Sequence, residues 1–247
     1  MIDLVTTPNY TPSSVVPIVE SCSAALPAAK FSDLLQKNYI EGHTTIYWAI
    51  VDGRKEALLA FVRFISQIQC PDNLHLACMV TNDHALFTQL NLGRDMIGAK
   101  GETLKRSLLC SPQENHEVGV DEDRFVVSFR FKMCRKRLRM TYSMGTEFVA
   151  RGRIWWLRIF YCAPGEEWII ATGLSQPSLP VRPLAKLIIE AQREKPGCAT
   201  RPAAWQWTIG LNKLRLIAPV GNTAYLDCDG TLHAKLEIEL KCKGRSE

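Results

Sequence analysis

Apolar residues recur with two different periods in this chain, and the change of period limits the folds available to it. In residues 125–133 and again in 232–240, every second residue is apolar. A period of two puts alternate side chains on opposite faces of a β-strand. Residues 54–68 instead show the spacing i, i+3, i+4 and i+7, which predicts an apolar stripe on a helix. That stripe consists of Leu58, Phe61, Val62 and Ile65.

The helical part contains a short internal repeat. Residues 46–50 correspond to 74–78, and residues 55–59 correspond to 83–87, both at an offset of 28. The matched pairs are Ala49 with Ala77, Ala57 with Ala85, and Leu58 with Leu86. Self-similarity at such a period is typical of stacked helix pairs. Thr44 is suited to cap the first helix, and Gly53 supplies the positive φ that ends it.

The repeated segments resemble the ankyrin repeat family. Gly42–Ala49 follows that family's G-x-T-P-L-H-x-A pattern, and Leu74–Ala77 follows its L-H-x-A core. Thr45 and Tyr47 depart from the pattern, and the offset is shorter than the family's roughly 33 residues. The resemblance covers residues 40–95 and implies two degenerate helix pairs in a protein that binds other proteins.

The second half of the chain predicts an antiparallel β-sandwich or barrel. Residues 153–161 are largely apolar on both faces, which is typical of a central strand covered on both sides. In residues 138–142 the apolar positions change parity, so the sequence predicts a hairpin turn at 134–137. Two further alternating segments follow, at 184–191 and 232–240.

This half resembles the TRAF/meprin-homology (MATH) β-sandwich over residues 124–241. That resemblance implies a module that binds short extended peptides or assembles subunits. The helical part combined with the sandwich also resembles uncharacterised proteins of mushroom-forming fungi. The segments that carry the MATH resemblance are Ser143–Phe148, Trp155–Trp156, Pro164–Gly165, Tyr225–Leu232 and Lys235–Ile238.

Length and charge support a division into two parts. A chain of 247 residues accommodates one large domain or two small ones. Residues 1–110 carry 9 Lys+Arg and 10 Asp+Glu, whereas residues 111–247 carry 21 and 15. We therefore expect an α+β protein in which ankyrin-like helix pairs pack on an antiparallel β-sandwich. The expected segments are an irregular lead-in (1–29), a helical region (30–110), a linker (111–123) and the sandwich (124–242).

The nine cysteines indicate a reducing compartment. They are odd in number and evenly spread, and none has C-x-x-C spacing. A disulfide framework is typical of short secreted chains with an even number of cysteines. The N-terminal sequence lacks a secretory signal, so we expect a cytoplasmic or nuclear protein. No run approaches the ~18 apolar residues of a membrane span, so no membrane partner is expected.

Three chemical motifs have simpler structural interpretations. Residues 93–101 nearly form a phosphate loop, but Ala99 separates the second glycine from Lys100. The acidic groups, including Asp227 and Asp229, are interpreted as turn residues. A zinc-like cluster is explained by helix packing; its members are Cys70, His75, Cys78 and His84. The sequence thus predicts no catalytic residue, metal or cofactor.

Two groups of residues are candidates for partner binding. The first is the basic run at the predicted hairpin tip. These cations either keep the sheet edge solvated or bind an acidic protein or nucleic acid, of which nucleic acid is the less favoured partner. The second is the apolar face of 153–161, which either lies under the helices or forms a binding surface. The candidates are Arg135, Lys136, Arg137 and Arg139 in the first group, and Ile154, Trp156 and Phe160 in the second.

The functional hypothesis is a non-catalytic protein-interaction or scaffold protein, with homo-oligomerisation left open. One alternative is an accessory protein, or an unrecognised enzyme, of fungal secondary-metabolite biosynthesis that uses an apolar pocket in the sandwich. Another is weak nucleic-acid binding through the basic hairpin.

Overall fold

The computed structural model describes most of the chain. The described residues are 12–65, 68–69, 71–90, 92, 115–120, 124–162, 167–181, 183–190, 205–209, 216–218 and 225–240. The phosphate-loop-like segment 93–101 and Cys70 lie outside them. Among the helices in these ranges, none has the length and hydropathy needed to cross a bilayer.

Helices come first along the chain. They are α1 (Pro12–Ala24), α2 (Ala28–Gln36), α3 (Thr45–Val51), α4 (Lys55–Val62), α5 (Pro71–Thr81) and α6 (His84–Gln89). One more helix, α7 (Cys134–Thr141), lies between two strands of the second half.

The strands form two sheets whose described pairings are all antiparallel. They are β1 (Asn115–Val120), β2 (Arg124–Phe131), β3 (Ser143–Ala150), β4 (Arg153–Cys162), β5 (Glu167–Leu174), β6 (Pro183–Ile189), β7 (Trp205–Ile209), β8 (Leu216–Ala218) and β9 (Leu232–Leu240). One sheet has the order β1-β2-β9-β6-β7 and the other the order β3-β4-β5-β8. Helices together with antiparallel sheets confirm the α+β class.

The described residues divide into two compact units. Unit 1 contains those up to Leu92 together with Arg151–Ile154, and unit 2 contains the rest. Within unit 1, α3 packs against both α4 and α5. The backbone N–H of Gly152 also donates to Oδ1 of Asn82 at 3.2 Å in this unit.

The helix pairs of unit 1 are built by local capping, as the sequence predicts. The Thr44 hydroxyl accepts from the N–H of Tyr47 at 3.1 Å, so it caps α3. Gly53 has a φ of +65° in the turn between α3 and α4, a value that glycine tolerates without steric cost. The side chain of Asp83 caps α6 in the same way, accepting from Leu86 N at 2.8 Å.

Equivalent backbone hydrogen bonds recur in the two helix pairs, but the predicted offset of 28 residues was wrong for the turn and the second helix. Arg54 N donates to Ala49 O, and the equivalent bond joins Asp83 N to Cys78 O, an offset of 29. At the predicted offset, buried Ala57 would match Ala85, which is exposed. The second helix pair therefore has one more residue before its turn than the alignment of the alanines predicted.

The lead-in also differs from its prediction, because residues 12–24 form α1. Four prolines in the first 27 residues suggested irregular structure. Pro12, however, occupies the first helical position, where its missing N–H costs nothing. Pro17 lies inside the helix, and the burial of Val15 and Val19 supplies packing that offsets the lost hydrogen bond.

Alternation correctly predicts the core strands of unit 2. On β2 and β9 the residues of one face are buried and those of the other are more exposed. The buried faces of both sheets contribute to one hydrophobic core. Across it, the ring of Phe125 on β2 lies 5.3 Å from that of Trp155 on β4, and Phe129 lies 5.6 Å from Phe148 on β3. As predicted, β4 is an internal strand of its sheet.

Two predictions for this half were wrong. Residues 115–120, assigned to a linker, form β1, which pairs with β2. In the described sheet β1 is an edge strand, so its position depends on backbone pairing rather than on an alternating pattern. Residues 134–141, assigned to a hairpin and the start of a strand, form α7. Met133 lies before this helix with a φ of +48° and is not a strand residue.

The shared core of unit 2 gives the first prediction. Phe129→Ala should lower the free energy of unfolding by about 3–5 kcal/mol, because it removes a fully buried ring and leaves a cavity. Urea denaturation followed by circular dichroism measures this difference. Leu179→Ala is the matched control at a side chain that is 71% exposed, and it should change stability by less than about 0.5 kcal/mol. Equal effects of the two substitutions would contradict the assigned core.

Candidate functional site

The turn before α3 carries a cluster of aromatic side chains in unit 1. Glu41 and Gly42 have φ values of +49° and +79°, so they form a tight two-residue turn. Two backbone hydrogen bonds between Ile40 and His43 close it, at 2.8 and 3.2 Å. The indole N–H of Trp48 donates to the carbonyl of Ile40 at 3.0 Å and fixes the turn to α3.

The rings of His43, Tyr47 and Trp48 pack against one another beside this turn. The imidazole of His43 lies parallel to the ring of Tyr47, with 3.9 Å between centroids. Its Nδ1 lies 3.0 Å from Oδ1 of Asn73 on α5. Tyr39, immediately before the turn, is 59% exposed. We call Tyr39, His43 and Trp48 the aromatic turn cluster.

This cluster is not among the site residues that the sequence predicts. The signal was present in Gly42-His43, the start of the ankyrin-like motif, where glycine precedes the helix cap. Its aromatic residues were interpreted as part of the helix rather than as a surface. Only the turn geometry brings the indole N–H of Trp48 to the carbonyl of Ile40, the residue that follows exposed Tyr39.

The second candidate group lies along β4. Ile154 is fully buried, whereas Trp156 and Phe160 are half-buried. Trp156 lies opposite Gly173 on β5. A Cβ at residue 173 would stand 2.5 Å from Cζ2 of that indole, so the ring occupies the space that the missing side chain leaves. The indole of Trp156 therefore covers Gly173, and no open pocket lies at this point of the strand pair. We call this covered pair of residues the Trp156 platform.

Charged groups surround the Trp156 platform. The guanidinium carbon of Arg158 lies 4.8 Å from the centroid of the indole, within cation–π range. Burial lowers the pKa of Arg158 from its usual value, and the nearby charge of Glu147 partly opposes that shift. The carboxylate of Glu147 is buried and accepts from the hydroxyl of Ser175 at 2.5 Å. Glu147 thus lies near the Arg158 guanidinium that covers the indole.

The basic candidates lie on α7. Lys136 and Arg139 are exposed, and Arg135 and Arg137 are partly buried. The guanidinium of Arg137 donates to the carbonyl of Lys132 at 3.4 Å. Because these residues lie on a helix, they are not the tip of a hairpin as predicted.

The Cys/His cluster does not form a metal site in the part of the chain that the structure describes. The Nε2 atom of His75 lies 2.8 Å from the carbonyl of Leu92, which is a structural contact. Burial, and to a lesser extent the charge of Asp83, raises the pKa of Cys78 to about 12. At neutral pH Cys78 is a protonated core thiol rather than a ligand or nucleophile.

The acidic loop before β9 is a turn, in agreement with the interpretation of its acids. Oδ1 of Asp227 accepts from the backbone N–H of Asp229 at 3.0 Å and of Thr231 at 2.8 Å. Its Oδ2 lies 3.0 Å from Nε2 of His233. Desolvation raises the pKa of Asp227, but the hydrogen bonds from His233 and the backbone outweigh it and lower the pKa overall.

The platform yields a prediction about Gly173. Gly173→Ala should lower the free energy of unfolding by about 1–3 kcal/mol, because the new methyl group overlaps the indole of Trp156. Urea denaturation of single and double variants measures the coupling. In a Trp156→Ala background the same substitution should cost much less. An equal cost in both backgrounds would show that Trp156 does not fill this space.

Thiol reactivity gives another prediction. Iodoacetamide at pH 8 should alkylate exposed Cys228 and leave Cys78 intact in the folded protein. With a pKa of about 12, only about one Cys78 in ten thousand is a thiolate at this pH, and the core excludes the reagent. Peptide mass spectrometry reads both sites, and Cys228→Ser is the control. Alkylation of Cys78 at the rate of Cys228 before unfolding would contradict the assignment.

Two comparisons with known proteins bear on family membership. No protein-family model matches this chain, and no curated protein matches it. The resemblances to ankyrin repeats and to MATH domains therefore depend on the motifs and the local geometry described above.

Proposed function

We propose that this chain is a non-catalytic protein-interaction protein, built from ankyrin-like helix pairs and a MATH-like β-sandwich. The observation that carries the proposal is the aromatic turn cluster, which lies at the start of the first of two successive helix pairs whose inner turns repeat at an offset of 29 residues. Stacked helix pairs of this kind present turns and first helices as a continuous binding surface.

The cluster has the chemistry of a protein-binding surface. Tyrosine and tryptophan provide most of the binding energy at many interfaces, because they bury a large area with few rotatable bonds. Tyr39 is exposed, and the turn beside it is fixed by the Trp48–Ile40 hydrogen bond. A surface that is already ordered loses little conformational entropy when a partner binds.

The polar contacts beneath the turn support the same proposal. Asn73 on α5 lies within hydrogen-bond distance of His43 and also donates to the side chain of Asn38 at 3.3 Å. The two helix pairs are thereby linked at the level of the turn. A partner that contacts Tyr39 would meet a surface supported by both pairs rather than a single loop.

Unit 2 supports the MATH-like part of the proposal. Two antiparallel sheets share one core, and the Trp155 side chain on β4 lies at its centre. The resemblance implies binding of an extended peptide or assembly of subunits. The alternative function in secondary metabolism needs an apolar pocket at Trp156, and the indole over Gly173 leaves that alternative with less support.

The test is affinity capture with a single exposed side chain changed. Wild-type protein, Tyr39→Ala and Leu179→Ala are immobilised at equal density and exposed to an extract of cells that express the protein. Wild type and Leu179→Ala should retain the same partner. Tyr39→Ala should retain it at least about tenfold less tightly, as expected for the loss of an interfacial tyrosine.

Circular dichroism and thermal melting serve as the folding control, and neither should change in Tyr39→Ala because the side chain is exposed. A partner retained equally by wild type and Tyr39→Ala would exclude the aromatic turn cluster as its site. Failure of wild-type protein to retain any reproducible partner would contradict the proposed function as a whole.

A further inference from the structure

Three charged side chains on one face of the five-stranded sheet are paired with one another. The guanidinium of Arg124 lies 2.6 Å from a carboxylate oxygen of Glu237, and Nζ of Lys235 lies 3.1 Å from the other oxygen. Desolvation raises the pKa of Glu237, but the hydrogen bond from Lys235 and the charge of Arg124 lower it overall. On this face Glu237 is therefore held between two cations.

Helix α7 differs, because its sequence contains four cations and no acid. In the described part of the chain, Arg135, Lys136 and Arg139 have no carboxylate within salt-bridge distance. Arg139 follows Lys136 by three residues and Arg135 by four, spacings at which like charges repel on a helix. Arg135 and Lys136 also lie in the first turn, where the helix dipole disfavours cations. Arg139 lies in the last turn, where the dipole favours a cation, so it is Arg135 and Lys136 that do not stabilise the helix that carries them.

Burial and backbone contacts hold α7 in place despite its charge. The side chains of Cys134 and Leu138 are fully buried in the core of unit 2. The N–H of Cys134 donates to the carbonyl of Gly230 at 2.9 Å, which ties the start of the helix to the loop before β9. The cations thus lie on a fixed support rather than on a flexible tip.

An apolar side chain lies beside the exposed cations. Met140 is 51% exposed, and its position one residue after Arg139 and four after Lys136 puts the three side chains on one side of α7. Arginine and methionine are enriched at protein interfaces, whereas a nucleic-acid backbone has no apolar group to match Met140.

We propose that α7 binds an acidic protein segment. The carboxylates of that segment pair with Arg135, Lys136 and Arg139, and an apolar side chain of the segment packs on Met140. Charge complementarity favours this partner, since Arg135, Lys136 and Arg139 have no carboxylate partner among the described residues and lie beside an apolar group. The proposal concerns unit 2 and does not depend on the aromatic turn cluster.

Fluorescence anisotropy with labelled probes tests the proposal. One peptide is rich in glutamate and carries two phenylalanines, and a second has glutamine in place of each phenylalanine. An oligothymidine of equal charge is the third probe. The first peptide should bind most tightly and should weaken as salt concentration rises.

Three variants assign the binding to α7. Arg135→Gln/Lys136→Gln/Arg139→Gln should weaken the first peptide by at least about tenfold, because the charged contacts are lost. Lys30→Gln/Lys37→Gln/Lys55→Gln removes the same charge from exposed positions of unit 1 and should have little effect. Met140→Gln should weaken the phenylalanine peptide while leaving the glutamine peptide unchanged.

Thermal melting of the α7 triple variant separates binding from folding. Its midpoint should stay the same or rise, since glutamine keeps helix propensity and removes like-charge repulsion. Three results would overturn the proposal: tighter binding of oligothymidine than of the peptide, equal weakening by the two triple variants, or no measurable binding of the phenylalanine peptide to wild type. The first would identify α7 as a nucleic-acid surface instead.

Discussion

The buried indole of Trp155 is the interaction on which the rest of unit 2 depends. An indole taken out of water must still donate its N–H, and here that group donates to the carbonyl of Ala150 at 3.0 Å. The ring itself contacts Phe125 of the opposite sheet. One side chain thus satisfies a polar group near the β3–β4 turn and supplies apolar contact across the core. The strands around it alternate because each sheet has only one face in this core.

The same rule explains which parts of the fold the sequence could predict. On β9, Leu232, Leu236 and Ile238 are buried as their alternation indicates, because both neighbouring strands in its sheet also turn their apolar faces inward. The edge strand β1 has a paired neighbour on only one side in the described sheet, and its residues do not alternate clearly. Its described partner is β2, which begins only four residues further along the chain, so pairing with that clearly alternating strand places β1 although its own residues carry no clear pattern.

The candidate site shows a similar division. The Thr44 cap and the Gly53 turn were predictable because each depends on one residue and its nearest backbone groups. The exposed position of Tyr39, next to the residue that Trp48 holds, depends on the turn that joins α2 to α3, which the motif only suggests. The position of the Trp156 indole over Gly173 could not be predicted either, because it depends on the register of β4 with β5.

Replacing a hairpin by a helix changes which side chains of the basic run can act together. In a strand, Lys136 and Leu138 would share one face, so part of the positive charge would turn towards the core. In α7 the period of 3.6 residues places Cys134 and Leu138 together on the buried side. Lys136, Arg139 and Met140 are then gathered on the exposed side. The burial of Cys134 and Leu138, which are four residues apart, therefore determines which way the basic residues of α7 face. A mutation that exposed Leu138 would be expected to disturb the charged surface as much as the removal of a cation.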